Sequence, residues 1–152
     1  MTDRKKTLSR RTFLETAAVS AGSAFAFSVV PSSVFGAPNR PAPSDQLRFG
    51  NIGVGGRGMG FVRPDSSIAL CDVDETRLAK AAERVECNPK LYKDYRELLE
   101  QKDIDAVFVT TPDHWHALMT VYACEAGKDV YVEKPACETI EGGQAMVNGI
   151  LS

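Results

Sequence analysis

The sequence predicts an α/β fold built on a doubly wound parallel sheet, and three observations lead there. An extended apolar run over residues 47–52 enters Gly53-x-Gly55-x-x-Gly58 without a break, the spacing that turns a strand sharply into a segment able to face a pyrophosphate. Short apolar runs alternate with helical patterns between residues 68 and 132, as in successive βαβ units. The residues richest in chemistry, Asp72, Thr110 and Glu133, stand where those runs end, the edge at which such sheets bind ligands.

The length of 152 residues suits about one domain, and 43% hydrophobic with 25% charged residues excludes wholesale disorder and a multispan membrane protein. A net charge of −2 argues against general affinity for nucleic acid or anionic membrane. The four cysteines, Cys71, Cys87, Cys124 and Cys137, form no C-x-x-C pair, so they are read as buried, reduced thiols.

The chain opens with Arg4, Lys5, Lys6, Arg10 and Arg11, continues in an uncharged, mostly small and apolar run over 17–30, and reaches Pro31. That is a signal-peptide layout, too short for a stable membrane span. Ser9-Arg10-Arg11-Thr12-Phe13-Leu14 resembles the twin-arginine export signal. Residues 1–37 are therefore expected to be a twin-arginine signal peptide and 38–46 a stiff proline-rich linker. Cleavage after Ala37 or Ala26 is left open. The expected destination is periplasmic or otherwise extracytoplasmic, reached through the twin-arginine export machinery. That route carries folded proteins and so suits an enzyme that takes up its cofactor before export.

Residues 47–152 are expected to form the nucleotide-binding domain. Gly53 allows the tight turn, Gly55 the approach of backbone to phosphate, and Gly58 close packing on the strand; Gly56 and Arg57 complete the loop. Residues 68–71 read as a second buried strand, and Asp72 at its end can accept hydrogen bonds from the adenosine ribose hydroxyls while repelling a 2′-phosphate, which favours NAD over NADP. Asp74, the rival for that role, is better explained as the N-cap of a helix over 75–85. Only 14 residues separate Gly58 from Asp72, where about 20 is usual. Residues 59–63 provide barely one helical turn before Pro64, so the rest of this crossover must be extended loop. Residues 90–92 form a short strand, and Asp94 and Glu97 are the N-cap and N3 acids of a helix reaching Leu99. The β-branched run 105–110 is the most convincing buried strand. Asp113 can cap a helix over 114–126 that Gly127 closes. Residues 129–132 are a last strand, delivering Glu133, Lys134 and Pro135. Thr139 can cap a final helix that Gly142, Gly143 and Gly149 weaken.

The glycine loop, the strand end Cys71-Asp72-Val73-Asp74, the run Thr111-Pro112-Asp113-His114-Trp115-His116 and Glu133-Lys134-Pro135 together resemble the N-terminal half of the glucose-fructose oxidoreductase, inositol dehydrogenase and rhizopine-catabolism family (Gfo/Idh/MocA). The resemblance covers residue 47 to the end and implies a Rossmann-type sheet, an NAD cofactor (NADP is less favoured) and hydride exchange with a hydroxyl or carbonyl of a sugar or polyol. It implies Lys134 as the catalytic residue that polarises oxygen or passes a proton. The implied cofactor-binding set is Gly53, Gly55, Gly56, Arg57, Gly58, Asp72, Thr110, Thr111, Pro112, His116, Glu133, Lys134 and Pro135, with Glu133 near the nicotinamide ribose. For His116 a place beside the cofactor and a purely structural hydrogen bond both remain open. Trp115 reads as packing. His114 and His116 lack a third metal ligand, so no metal is expected.

The family's C-terminal α/β substrate domain has no counterpart in this sequence, nor do the last strands of its first domain. The fold is accordingly expected to be a truncated Rossmann-type sheet, with oligomers formed only by the full-length enzyme. Two alternatives to an exported oxidoreductase stand: an NAD-dependent glycosidase of the same family, and a catalytically inactive nucleotide-binding fragment.

Overall fold

A computed structural model of the chain describes residues 41–42 and 45–151. The signal expected over 1–37 and most of the linker over 38–46 lie outside the described residues. The chain divides after Pro43, and everything below concerns the unit that follows.

Five strands, β1 (Phe49–Ile52), β2 (Ser67–Cys71), β3 (Lys90–Tyr92), β4 (Ala106–Val109) and β5 (Asp129–Val132), form one sheet in the order β3-β2-β1-β4-β5. Every pairing is parallel. The order reverses between β1 and β4, where a doubly wound sheet opens its ligand crevice. Four helices accompany the strands: α1 (Glu75–Ala82), α2 (Tyr95–Leu99), α3 (Asp113–Glu125) and α4 (Ile140–Leu151).

Strand alternation sends apolar side chains to both faces. On one face Ile52, Ala69, Cys71, Val107 and Val109 pack with Leu98 and Leu99 of α2 and with Met119 and Ala123 of α3. On the other, Leu70 packs with Val54, Val62 and with Leu78 and Ala81 of α1. Also on that second face, Phe108 stacks obliquely against Phe49, Phe61 and Tyr131 at 5.2–5.7 Å between ring centroids, and the Arg63 guanidinium lies over Phe49 and Phe108.

The β1–β2 crossover is as short as its sequence requires. It contains one 3-10 turn, Gly58–Phe61, in place of a helix. Beneath it lies a fully buried polar network. Ser67 Oγ donates to Asn51 Oδ1 (2.7 Å), Asn51 Nδ2 donates to the Phe61 carbonyl (3.1 Å), and the Arg63 amide donates to Ser67 Oγ (2.9 Å). The sheet thus hydrogen-bonds the loop that replaces the helix.

Three helices depart from expectation. α1 stops at Ala82 rather than residue 85, because the last amides tighten to i→i−3 bonds and Glu86 N turns to donate to the Pro64 carbonyl at 2.8 Å. α3 begins at Asp113 itself, with Pro112 as its N-cap and no side-chain cap; the Asp113 carboxylate accepts from the neighbouring His114 amide instead. α4 runs through all three of its glycines. A Cβ at Gly142 would stand 3.2 Å from Ala117 Cβ and one at Gly149 3.6 Å from Val121, so these two glycines are where α4 meets α3. Thr139 does cap it, its hydroxyl accepting from Gly142 N at 3.0 Å. The Asp74 and Asp94 N-caps form as expected.

Gly58 carries the tightest contact in the fold. A Cβ there would meet the Gly53 carbonyl oxygen at 1.9 Å and Thr110 Oγ1 at 2.6 Å. Nothing lies within 4 Å of a Cβ at Gly60, two residues on. Gly58→Ala is expected to cost about 3 kcal/mol, the upper range for an overpacked site, and Gly60→Ala less than about 1 kcal/mol. Urea unfolding of the two variants compares them, and equal midpoints would contradict the close approach.

Candidate functional site

At the switch point the carboxyl ends of β1, β2 and β4 surround a cavity of about 750 Å³, a size typical of ligand sites. Gly53, Gly55 and Arg57 form one wall, Asp72, Val73 and Arg77 a second, and Thr110, Thr111 and Pro112 a third. Gly53 turns the chain with φ +84°, a conformation that favours glycine. Its carbonyl accepts a 2.5 Å hydrogen bond from Thr110 Oγ1, which ties the end of β1 to the end of β4.

The loop after Gly53 is rich in unused donors. Among the described residues, the amides of Gly55, Gly56, Arg57 and Gly58 have no acceptor, whereas Val54 N is held by Asp72 Oδ2 at 3.0 Å. Asp72 is buried and also accepts from Asp74 N, through Oδ1, at 3.0 Å. Each carboxylate oxygen keeps a further lone pair for a donor from the cavity. Asp72 therefore has a role that spacing alone did not reveal: it fixes the second residue of the glycine loop.

The cavity lining contains further residues that sequence reasoning passed over, one of them, Arg77, packed directly against Gly55, where a Cβ would stand 3.0 Å from its guanidinium. Arg77, Lys93 and Arg96 line the cavity, each paired with a carboxylate: Arg77 with Asp74 at 3.3 Å, Lys93 with Glu75, and Arg96 with Asp94 at 2.9 Å. Only the positions of Arg77 and Arg96, three and two residues after the capping Asp74 and Asp94, hinted at their pairs; Lys93 and Glu75 lie 18 residues apart. Trp115, read as packing, lines the cavity and is 42% exposed.

Cys71 also borders the cavity, but burial, reinforced by the Asp72 charge, pushes its thiol up to about 12. It stays protonated and is no nucleophile at neutral pH. All four cysteines are free; the expectation that they are buried holds for Cys71 alone, since Cys87 is exposed and Cys124 and Cys137 are half-buried.

Beyond β5 the structure separates the remaining predicted residues. Glu133 is buried, and its Oε2 meets Arg57 Nε at 3.3 Å. Lys134 is exposed, with no partner for its ammonium group among the described residues, and is joined to Pro135 by a cis peptide bond. His116 is not among the residues that line the cavity. It is buried at 2% exposure, with Nδ1 2.7 Å from the Pro135 carbonyl oxygen and Nε2 2.7 Å from the Thr111 carbonyl oxygen. Both ring nitrogens thus face backbone carbonyl oxygens, to one of which a neutral imidazole donates, and of the two readings open for this histidine the geometry is that of the structural hydrogen bond. The clip joins the loop after β4 to the turn after β5. Among the described residues no three metal-ligating side chains cluster, and no helix is long and apolar enough to cross a membrane.

Removing the clip loses a part-buried hydrogen bond, at about 1–3 kcal/mol, and empties the space of a buried ring. His116→Ala is expected to lower the unfolding free energy by roughly 3 kcal/mol while leaving Gly58 and its neighbours in place. Denaturant unfolding together with amide hydrogen exchange measures both, and unchanged stability would rule the clip out.

The relatives of this chain agree with the geometry. A glycosyl hydrolase family 109 protein of Shewanella pealeana is 35% identical over an alignment that takes in 88% of this chain and 35% of the relative. Among solved structures, a probable dehydrogenase from Thermotoga maritima matches with a TM-score of 0.61 and 31% identity, over 69% of this chain and 33% of the other. The myo-inositol dehydrogenase of Lactobacillus casei, solved with NAD(H) and myo-inositol, matches with a TM-score of 0.64 and 29% identity, over 69% and 33% of the two chains. The chain spans about a third of the length of these relatives. Residues 47–150 match the GFO_IDH_MocA oxidoreductase family over its NAD-binding Rossmann fold, and with that glycine loop, strand order and switch-point cavity the chain belongs to the Gfo/Idh/MocA family.

Proposed function

We propose that this chain is the cofactor domain of an exported, NAD-dependent enzyme acting on a sugar or polyol. The observation that carries the reading is the row of unaccepted amides from Gly55 to Gly58, in a loop whose Gly55 and Arg57 line a cavity that the Asp72 carboxylate lines too. Backbone N–H groups in such a turn suit a diphosphate, and a carboxylate at the end of β2 suits ribose hydroxyls. The bound cofactor supplies reversible hydride acceptance.

The chain's own groups bind and orient. Asp72 takes the adenosine ribose, Thr110, Thr111 and Pro112 border the crossing between the two halves of the sheet, and Glu133 faces the nicotinamide ribose. Pro135 shapes the turn that carries Lys134, whose unpaired ammonium group polarises the substrate oxygen or passes its proton. His116 acts on the cofactor only through the loops it clips together. NAD is preferred to NADP because Asp72 repels a 2′-phosphate, and because Arg77, Lys93 and Arg96, which line the cavity, already serve carboxylates.

Substrate, oligomeric assembly and turnover belong to the full-length enzyme. Export through the twin-arginine route to an extracytoplasmic space, with residues 1–37 as the signal, is supported by the paired Arg10 and Arg11.

A second reading for the whole enzyme is a glycosidase that oxidises its sugar transiently, eliminates the aglycone and returns the hydride, so that net turnover is hydrolysis. The observation favouring it is that the 35%-identical Shewanella protein is named as a glycosyl hydrolase. Incubating that full-length relative with NAD and either a free sugar or a chromogenic glycoside separates the two. Steady growth of NADH absorbance with free sugar supports the dehydrogenase, and aglycone release without net NADH supports the glycosidase.

For the 152-residue chain, calorimetric titration is expected to give NAD an affinity at least about tenfold above NADP, a like-charge penalty of about 1.4 kcal/mol or more. Asp72→Ala is expected to erase that preference. Tighter NADP binding would overturn the role given to Asp72, and no binding of either at millimolar concentration would leave only the inactive-fragment reading.

A further inference from the structure

In doubly wound folds the first crossover helix presents its N-terminus to the cofactor diphosphate. Here that helix is a four-residue 3-10 turn, too short for an appreciable dipole. The loop amides remain, and the positive charge beside them comes from two side chains: Arg77, which lies against Gly55 but is paired with Asp74 at 3.3 Å, and Arg57.

We infer that Arg57 is the diphosphate clamp of this domain and that Glu133 is the positioning residue that holds it. The inference rests on the proposed NAD site. Arg57 sits within the glycine loop and lines the cavity, directly beside the unaccepted amides. Its side chain is 73% exposed, yet it is not loose: Nε is held by Glu133 Oε2 at 3.3 Å, and the guanidinium carbon lies 5.7 Å from the Phe61 ring centroid. Among the described residues the two terminal amino groups have no acceptor. The guanidinium is therefore anchored by one N–H and by an aromatic face, with the end that chelates phosphate oxygens in a bidentate fashion left open.

Glu133 is suited to this task because it is 6% exposed; a buried carboxylate needs a cation, and Arg57 is its only one among the described residues. One carboxylate oxygen holds Arg57, and the other is free for the nicotinamide ribose. Glu133 thereby links the diphosphate grip on the β1 side to the nicotinamide end on the β5 side. A lysine at position 57 would keep the charge and lose the fork.

Calorimetric titration of the full chain and its Arg57→Ala, Arg57→Lys and Glu133→Gln variants with NAD, ADP-ribose and adenosine tests the clamp. Arg57→Ala is expected to weaken NAD and ADP-ribose by about 10–100-fold, the range for a charge-assisted pair, and to leave adenosine unchanged. Arg57→Lys recovers only part of the loss. Glu133→Gln weakens ADP-ribose about three- to tenfold although its mutated group touches no phosphate, and it flattens the salt dependence of binding less than Arg57→Ala does. Because Arg57→Ala also strands the buried Glu133 carboxylate, thermal unfolding of that variant and of Arg57→Ala/Glu133→Gln, together with unchanged adenosine binding, separates loss of fold from loss of the clamp. If the unmodified chain binds none of the three ligands, the NAD site itself fails. If it binds NAD and Arg57→Ala binds ADP-ribose equally well, the site stands and the clamp is refuted.

Discussion

The structure depends on one steric constraint, the approach of Gly58 to the Gly53 carbonyl and the Thr110 hydroxyl. No Cβ fits at Gly58, and the contact folds the glycine loop back over the ends of β1 and β4. Thr110 serves both neighbours, its hydroxyl donating to the Gly53 carbonyl while its backbone amide extends the ladder to Ile52. The loop is thus closed from above by an absent side chain and from below by a hydrogen bond. Gly53 turns the chain with positive φ, and of the loop amides that follow Asp72 takes Val54 N alone. The amides of residues 55–58 are the donors left without an acceptor among the described residues, and Gly55 and Arg57 among them line the cavity.

The shortened crossover raises a question of burial. A helix over β1 and β4 would satisfy its own backbone and cover the sheet with apolar side chains. A loop does neither, and the sequence compensates in two ways. Asn51 and Ser67, polar residues at wholly buried strand positions, supply the bonds that the loop backbone needs. Phe61, Tyr131 and the stem of Arg63 cover Phe49 and Phe108 in place of a helix face. An asparagine in a central strand would ordinarily be costly; here each of its side-chain groups has a partner.

Most of the architecture was legible in the sequence. The strands at 90–92 and 129–132 match residue for residue, because their boundaries are marked by turn residues and capping acids. The Asp74 and Asp94 caps followed from spacing, and so did the short crossover, since Pro64 leaves no room for a helix. What stayed hidden depends on partners distant in sequence. The glycines of α4 read as helix breakers because their neighbours, Ala117 and Val121, lie on another helix. Two backbone carbonyls, invisible to any side-chain pattern, decide how His116 is used. The side-chain type of Asp72 suggested a ribose ligand, while its bond to Val54 N emerged only from the fold. The pairing of Arg57 with Glu133 joins residues 76 positions apart and has no local signature.

That pairing is energetically lopsided, which bears on how the two halves of the site cooperate. Arg57 is mostly solvated and gains little from an exposed ion pair. Glu133 is nearly buried, and leaving its carboxylate without a cation would cost several kcal/mol. The pair is therefore held mainly by the need of Glu133, and Arg57 is kept over the cavity by a residue on the far strand. Moving β5 relative to β1 would break this contact first. The His116 clip opposes such movement by fastening the turn after β5 to the loop after β4, and Thr110 fastens β4 to β1. The three links run in sequence across the switch point, from β5 through β4 to β1. The distance between the glycine loop and Lys134 is thus set by backbone-directed bonds before any ligand arrives, and the loop meets its ligand with little reorganisation left to do.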